Sequence, residues 1–523
     1  MGYARPLMWI GLLTLLTFIS LDATPEQDLL WTIVEDLPST EEDGDPLVYE
    51  LELLTGFHGT AHAPETSIYI DEATGAPLFG QLFLPRDGEF YPVVLAGFSL
   101  DTEWDQGLGF RLRVDSGELY AGSWTLDGQS GLLSNGQGVG DEARSTGFVR
   151  ELAVSLSGEW GYAVFGKAQA MVLNGLVYGD YGLGGSLHLD LDHFDLGPFS
   201  ADLGVRAVGY SWSDYLSPNP LLSARFMWNY GFFENLSIEF AAIADRSDVF
   251  ADALASLPME WAIRSGAEDA GANLRSLLEA ESQGVMRYLG LSGHHFIVER
   301  LSFQYALAWQ NGNLRSTRPD PRVFLFDAPN GLELPAREND FSIDAWAAVA
   351  ELHWSVSRTL GLALLGVHMT GQGPPPSQED NVSPTLGAFT APAPYWVWSG
   401  LFFSGMLNQG YLASRSNTAG IHGHGVSVLG AKADLALGAS SHLVRLLWLE
   451  ADEARPSATQ DGREFLSHYG IELDWLWDFL LYEQDNTQVT FASELDILFA
   501  GDFFREDSVG YRFIAQVRVD YDG

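Results

Sequence analysis

The chain contains no cysteine among its 523 residues, and its 27 lysines and arginines are outnumbered by 70 aspartates and glutamates. The missing cysteines exclude a disulfide framework of the kind that stabilises many small exported domains. The formal net charge of −43 disfavours nucleic acid and anionic membrane surfaces as partners, because both repel a polyanion. Beyond the first residues, no apolar run approaches the roughly 20 residues of a membrane-spanning helix.

Signatures of catalysis are also lacking. The sequence has no nucleophile elbow, phosphate-binding loop or dinucleotide fingerprint. The pairs His294-His295 and His422-Gly-His424 have no carboxylate or cysteine partner at a useful spacing, so no metal site is predicted. We therefore expect neither a cofactor nor an enzyme. A barrel enzyme acting on lipid is one alternative function, and it would need a Ser–His arrangement that no local motif marks.

The N-terminal residues have the composition of a secretory signal. One arginine precedes an apolar stretch from Leu7 to Ile19, and the small residue Ala23 follows it. This stretch is too short for a membrane helix, so we predict a cleaved signal peptide over residues 1–23. Residues 24–46 are acidic and are predicted to form a periplasmic lead-in. Residues 47–523 are predicted to form one domain.

Strict alternation of apolar and polar residues is the main positive signal. Over residues 469–481 every second residue is apolar, while positions such as Glu472 and Asp474 carry charge. Residues 489–499 and 511–521 show the same pattern. Because successive strand side chains point to opposite faces, each stretch has one apolar and one charged face. A soluble sandwich would bury the apolar face, whereas a membrane barrel turns it to lipid and the charges to a wet lumen.

Similar stretches of roughly 9–14 residues recur along the domain, as expected for tilted strands that cross an outer membrane. The candidate strands are 47–60, 92–104, 107–117, 147–156, 160–172, 183–192, 199–211, 220–230, 235–245, 284–292, 298–311, 342–356, 359–371, 423–435, 440–451, 466–481, 487–499 and 509–521. They predict an all-β fold, a single closed antiparallel transmembrane β-barrel of about 18 strands.

The lengths of the connections support the barrel over the sandwich, because bacterial barrels alternate short periplasmic turns with long outer loops. The predicted outer loops include 61–91, 118–146, 246–283, 312–341 and 372–422. The predicted periplasmic turns include 105–106, 157–159, 193–198, 231–234, 293–297, 357–358, 436–439 and 482–486. Apolar residues at helical spacing predict short helices in loop 246–283. The aromatic part of loop 372–422 is expected to pack on the rim or to fold into the pore.

Charged residues on the predicted inner faces are the candidate site. In a dry core each would cost several kcal/mol unless paired, and a water-filled lumen removes that cost. The predicted pore-lining residues are Arg111, Arg113, Lys167, Asp190, Asp192, Arg206, Arg225, Arg300, Glu472, Asp474, Glu494, Asp496, Arg512 and Arg518. Salt bridges within the wall are the alternative role for each. The apolar faces, which include Tyr162 and Tyr469, are predicted to meet lipid.

Two groups of residues resemble the bacterial alginate export family. One is a G-x-E-x-D strand followed by a strand that ends in a glycine–aspartate–aromatic turn: Gly470, Glu472, Asp474, Glu494, Asp496, Gly501, Asp502 and Phe503. The other is an R-E strand, a G-K strand and a turn: Arg150, Glu151, Gly166, Lys167, Gly175, Leu176, Tyr178 and Asp180. The resemblance implies an 18-stranded outer-membrane barrel that passes an anionic polysaccharide. The chain differs from this family in two respects. Its predicted lumen carries charges of both signs, and it ends in Tyr521-Asp-Gly rather than in an aromatic residue.

The sequence thus favours a channel or exporter of the bacterial outer membrane that passes a hydrophilic solute or polysaccharide. Its expected partners are outer-membrane lipid, the permeant and the barrel assembly machinery, and not nucleic acid. A structural or adhesive barrel whose loops plug the lumen remains the alternative.

Overall fold

A computed structural model gives the fold of most of the domain. It describes residues 47–62, 69–70, 77–79, 89–104, 107–116, 148–208, 219–228, 235–246, 282–316, 339–372, 385–392, 396, 398–399, 402, 419–420, 423–456, 465–484, 486–504 and 509–522. The predicted signal peptide and acidic lead-in lie outside these residues. So does loop 118–146, together with residues 247–281, where helices are predicted.

Nearly all described residues belong to 21 strands, β1–β21. The first eleven are β1 (Leu47–His62), β2 (Tyr69–Ile70), β3 (Pro77–Phe79), β4 (Glu89–Trp104), β5 (Leu108–Ser116), β6 (Phe148–Gly158), β7 (Gly161–Val172), β8 (Tyr178–Asp190), β9 (Phe199–Val208), β10 (Asn219–Trp228) and β11 (Leu236–Asp245). The others are β12 (Ser282–Val298), β13 (Leu301–Ser316), β14 (Asn339–Ser357), β15 (Leu360–Met369), β16 (Thr385–Leu386), β17 (Val426–Leu437), β18 (Ser440–Pro456), β19 (Phe465–Gln484), β20 (Thr487–Ala500) and β21 (Val509–Asp522).

Eighteen of these strands form one closed antiparallel ring, which confirms the predicted fold. Each pairs with its neighbours in the sequence, and β1 closes the ring by pairing with both β4 and β21. In that closure Leu53 lies opposite Val519. The short strands β2 and β3 pair only with each other, and β16 runs parallel to β14 above the end of β15. Closure matters because it leaves no open sheet edge.

The two rims of the barrel differ as the connection lengths predicted. One, the turn rim, carries short connections such as 159–160, 299–300 and 438–439; the other, the loop rim, carries long ones such as 246–281 and 370–425. One of the predicted turns is misplaced. Residues 293–297 belong to β12, and the chain reverses at 299–300 instead. His294 and His295 are therefore strand residues. They lie opposite Gln304 and Phe303 of β13, respectively, and their side chains point to opposite faces of the sheet.

An apolar belt surrounds the outside of the barrel. Strand β14 illustrates it: Trp346 and Trp354 are exposed on the outward face, and the alternate residues between them are Ala348, Ala350 and Leu352. Eight residues of a tilted strand separate these two indoles by about 20 Å along the barrel axis. Neighbouring strands continue the belt with exposed leucines and aromatics, including Leu307, Trp309, Leu362, Leu364, Leu446 and Trp448.

Two aromatic residues predicted to face outward point inward instead. Tyr469 is fully buried and donates its hydroxyl hydrogen to the Gly425 carbonyl, 3.0 Å away. The alternation shifts at Gly470, whose φ of +137° opens a bulge in the ladder with β18. On β7, Tyr162 points inward and stacks on His188 at a ring-centre distance of 4.8 Å. Phe165, on the opposite face of the same strand, is exposed on the outside. The bulge breaks the period of two at Tyr469, whereas β7 keeps that period and has the reverse of its predicted facing.

The closure between β1 and β21 can be tested with cysteines, because the chain has none of its own. In Leu53→Cys with Val519→Cys the two residues lie directly opposite, and such neighbours have Cβ atoms about 5 Å apart. We expect oxidation to crosslink most of the protein, visible as a mobility change on a non-reducing gel.

The matched control pairs Leu53→Cys with Phe513→Cys, six residues further along β21 and opposite Gly59 instead. This pair should stay uncrosslinked. Equal crosslinking of both pairs, or of neither, contradicts the closed ring.

Candidate pore and lumen plug

Part of connection 370–425 folds into the barrel rather than over its rim. Gln310, an inward residue of β13, binds both polar backbone groups of Thr390: its Oε1 accepts from the Thr390 N–H at 3.0 Å, and its Nε2 donates to the Thr390 carbonyl at 2.9 Å. The Tyr288 hydroxyl on β12 donates to the same carbonyl at 2.8 Å. All three residues are buried. The aromatic segment therefore takes the inward alternative of the two left open by the sequence.

The inserted segment reaches opposite parts of the wall. The Trp396 Nε1 donates to the Leu176 carbonyl at 3.1 Å, in the connection between β7 and β8. On the other side, the Trp398 carbonyl accepts from Arg445 of β18 at 3.1 Å. The Phe402 N–H donates to a Glu472 carboxylate oxygen of β19, also at 3.1 Å. The described residues of 385–402 thus bridge the lumen, and we call them the plug.

The tight connection between β7 and β8 reaches across to meet the wall near the plug. The Leu173 N–H donates to the Glu239 carboxylate of β11 at 2.8 Å. The Leu173 side chain lies so close to Gly290 of β12 that a Cβ there would be 2.0 Å from it. Leu173 and Asn174 adopt positive φ values, which turn the chain within five residues. A Cβ at position 290 would also lie 2.7 Å from the Leu307 carbonyl oxygen, so a larger residue there would force both the Leu173 side chain and the backbone to shift.

The plug packs in a dry apolar core inside the barrel. Its buried residues include Leu386, Phe389, Trp396, Trp398 and Phe402. The wall contributes inward residues from strands β9 to β20, among them Ile243, Tyr288, Ile343, Ala347, Val349, Val367, Val428, Leu447, Leu449, Tyr469 and Leu498. Since these side chains are buried, water is excluded from this sector of the lumen. Along strands β9 to β20 the barrel is therefore filled in the half nearest the loop rim.

A buried ionic cluster lies in the wall beside the plug. Arg512 of β21 binds Asp496 through Nε at 2.9 Å and Glu494 through Nη2, and all three side chains are 5% exposed or less. Asp474 lies opposite both Asp496 and Arg445 in the strand register. Charges this deeply buried are costly unless they are paired and hydrogen-bonded. This cluster therefore joins wall strands and holds the plug, through Glu472 and Arg445.

The wall formed by β1, β4, β5, β6 and the turn-rim end of β21 is different, because several of its inward charges remain accessible. Arg111 binds Asp101 at 2.9 Å, and their side chains are 38% and 44% exposed. Arg518 binds Asp520 at 2.8 Å and lies 3.8 Å from Glu50; Arg518 and Glu50 are 46% and 35% exposed. With Arg113 and Glu151, which lie opposite each other in the register, these residues form the charged wall.

Ten of the predicted site residues point into the barrel and fall into three groups. The buried cluster takes Glu472, Asp474, Glu494, Asp496 and Arg512, and the charged wall takes Arg111, Arg113 and Arg518. Arg206 and Arg225 also point inward, on β9 and β10. Arg206 is buried and donates to the Ala168 and Gly182 carbonyls, whereas Arg225 lies between Asp202 and Glu239 in the register.

The other four predicted residues were expected to line the lumen, but they lie on the outer face or at the turn rim. Lys167 shares the outward face with the exposed Leu152 and Leu183, because the facing of β7 is the reverse of the prediction. Asp190 ends β8 at the turn rim and accepts the Asp192 N–H, 3.0 Å away. Asp192 itself begins a 3₁₀ turn. Arg300 lies in the turn before β13 and donates to the Val356 carbonyl at 3.3 Å.

Sequence reasoning missed the residues that hold the plug. Tyr288 and Gln310 are uncharged positions on strands whose inward faces otherwise look apolar. Their alternation with exposed neighbours places them inside, but nothing local reveals a partner 80 or more residues away in the chain. A buried ion pair between Lys432 of β17 and Glu351 of β14, at 3.2 Å, was likewise visible only as two inward charges.

Among the residues that the structure describes, no three His, Asp or Glu side chains are placed to hold a metal ion. The described part of the chain also contains no helix that is both long and apolar enough to cross a membrane.

Comparison with known proteins finds likeness of form only. No family model matches the sequence, and no curated protein sequence matches it. Among solved structures, Acinetobacter baumannii OccAB1 is 7% identical, with a TM-score of 0.47 over 91% of this chain and 96% of its own. Pseudomonas aeruginosa OpdQ is 11% identical, with a TM-score of 0.43 and coverage of 91% and 97%. The outer membrane protein OpdK from Pseudomonas aeruginosa is 10% identical, with a TM-score of 0.45 and coverage of 91% and 99%.

The buried cluster gives a direct stability prediction. In Arg512→Met the carboxylates of Glu494 and Asp496 lose their buried cation, which should cost about 3–5 kcal/mol. The measurement is a urea titration of the folded protein in phospholipid vesicles. The control, Arg518→Met, removes an exposed arginine from the same strand and face and should cost about 1 kcal/mol or less. Equal losses in both variants would contradict the distinction between buried and accessible charges.

Proposed function

We propose that the protein is a channel of the bacterial outer membrane that passes a hydrophilic solute through the open side of its lumen. The observation that carries the proposal is the opposite polarity of the two barrel faces. The outside presents a belt of exposed apolar side chains between rows of indoles, a surface suited to lipid. The inside presents accessible ion pairs along the charged wall, which require water.

The connection pattern supports the orientation. The turn rim would face the periplasm and the loop rim the exterior, so the plug enters from outside through connection 370–425. A predicted signal peptide over residues 1–23 would deliver the chain for export, and insertion would require the barrel assembly machinery. Outer-membrane lipid is then the partner of the apolar belt.

An exporter of the alginate type is the finer alternative within this function. It is supported by the residues shared with that family, including Gly470, Glu472 and Glu494. Two of those residues, Glu472 and Glu494, lie in the buried cluster and would contribute to the wall rather than touch the cargo. A polysaccharide would have to pass beside the plug. We therefore favour a small solute.

A structural barrel without transport is the second candidate, favoured by the plug itself. The dry core between the plug and strands β9 to β20 removes part of the lumen from use. The two candidates differ in conductance. Purified protein in a planar bilayer should give steady single-channel currents in KCl if it is a channel, and no current above the lipid background if the plug closes it.

Ion selectivity tests the role of the charged wall. Replacing Arg111→Ala together with Arg113→Ala removes two positive charges and leaves the nearby Asp101 and Glu151. Because fixed wall charges set the preference of a pore, the cation-to-anion permeability ratio should rise severalfold. The reversal potential across a KCl gradient measures it. Unchanged selectivity in a conducting variant would remove both arginines from the permeation path.

A further inference from the structure

The side chains of the charged wall are arranged in rows across adjacent strands, and salt bridges alone would not require such rows. The register aligns Glu50 of β1, Ser99 of β4, Arg113 of β5 and Glu151 of β6 in one inward row. Asp101 and Arg111 form the next row toward the turn rim. Each row thus contains charges of both signs on adjacent strands. Two residues along a strand separate the rows by about 7 Å.

Charges of both signs lie side by side on this wall, with a small excess of carboxylates. Three arginines, Arg111, Arg113 and Arg518, lie among five carboxylates, those of Glu50, Asp101, Glu103, Glu151 and Asp520. A free anion or a free cation gains little there, because each attractive group has a repulsive neighbour. A solute with one charge of each sign can contact both kinds of group at once.

The rest of the described lumen directs a solute toward this wall. The plug and its apolar core fill the half of the lumen nearest the loop rim along strands β9 to β20, and the cluster around Arg512 is sealed from water. By contrast, Arg111, Asp101 and Arg518 are each more than one-third exposed. A hydrophilic solute that crosses the barrel therefore meets these ion pairs.

We propose that the charged wall is a binding site for small zwitterions of dipeptide length, with the carboxylate at Arg111 or Arg113 and the ammonium at Asp101 or Glu151. An extended dipeptide spans about 7 Å, which matches the spacing of the rows. A single amino acid spans one residue and engages one row. The inference rests on the proposed channel function and adds the chemical class of the permeant.

Current block in planar bilayers tests the site with four probes of similar size. Glycylglycine has both charges, N-acetylglycine lacks the ammonium, glycylglycinamide lacks the carboxylate, and N-acetylglycinamide lacks both. Each is titrated against the single-channel current in dilute KCl, where screening is weak. Two exposed ionic contacts of about 0.2–1 kcal/mol each predict half-block by glycylglycine at a concentration about 2- to 30-fold below that of the neutral probe.

Matched variants show which wall residues bind the carboxylate of the probe and which bind its ammonium group. Arg111→Gln with Arg113→Gln should abolish the advantage of glycylglycine over glycylglycinamide. Asp101→Asn with Glu151→Gln should abolish its advantage over N-acetylglycine. The control is Arg287→Gln, which removes an exposed arginine from the outward face of β12 and should leave all four titrations unchanged.

The outcomes separate this inference from the channel itself. A KCl current that all four probes block equally overturns the zwitterion site and leaves the channel function standing. Stronger block by one singly charged probe also overturns it. No KCl current in the unmodified protein refutes the channel proposal, and the site as a permeation site with it.

Discussion

Closure of the sheet between β1 and β21 is the constraint on which the rest of the structure depends. A closed sheet leaves no unpaired edge, so every backbone group of the ring can be satisfied where no water is available. Closure also gives each strand an inside and an outside, and the period of two in the side chains sorts residues between them. The apolar belt and the inward charges are both consequences of that sorting. Without the ring, the same alternation would suit a soluble sandwich.

The inside of the ring is itself divided by the plug. The plug is held by hydrogen bonds donated by Gln310, Tyr288 and Arg445 and by one that Glu472 accepts, and these bonds satisfy backbone groups that enter a dry core. Buried polar groups without such partners would cost about 1–3 kcal/mol each. The bonds therefore fix the position of the plug as well as stabilise it. With the plug in this position, the charged wall is the accessible side of the lumen.

The sequence was sufficient for the architecture because that depends on local, repeated signals. Period-two alternation located the eighteen strands to within a few residues, and the lengths of connections separated the rims. One error arose where a bulge broke the period, and the other where a regular strand had the reverse of its predicted facing. Gly470 opens a bulge that turns Tyr469 inward, and the facing of β7 reverses so that Lys167 points out.

The candidate site was harder to predict because it depends on contacts between distant parts of the chain. Alternation placed Arg512 and Arg111 on inner faces alike, yet one is sealed and the other is exposed. The difference depends on what packs inside the ring, and that includes the plug, whose anchor Gln310 lies 80 residues from Thr390 in the chain. No local pattern encodes that partnership. Burial of an inward charge can therefore be judged only once the contents of the lumen are known.

The central claim is that the lumen is dry on one side and wet on the other, and single cysteines test it most directly. Arg113→Cys lies on the charged wall, and Val349→Cys lies on the inner face of β14 against the apolar core. A membrane-impermeant thiol reagent should modify the first at least about tenfold faster than the second in folded protein, with equal modification after denaturation. Equal rates in the folded protein, or protection of both cysteines, would contradict the claim.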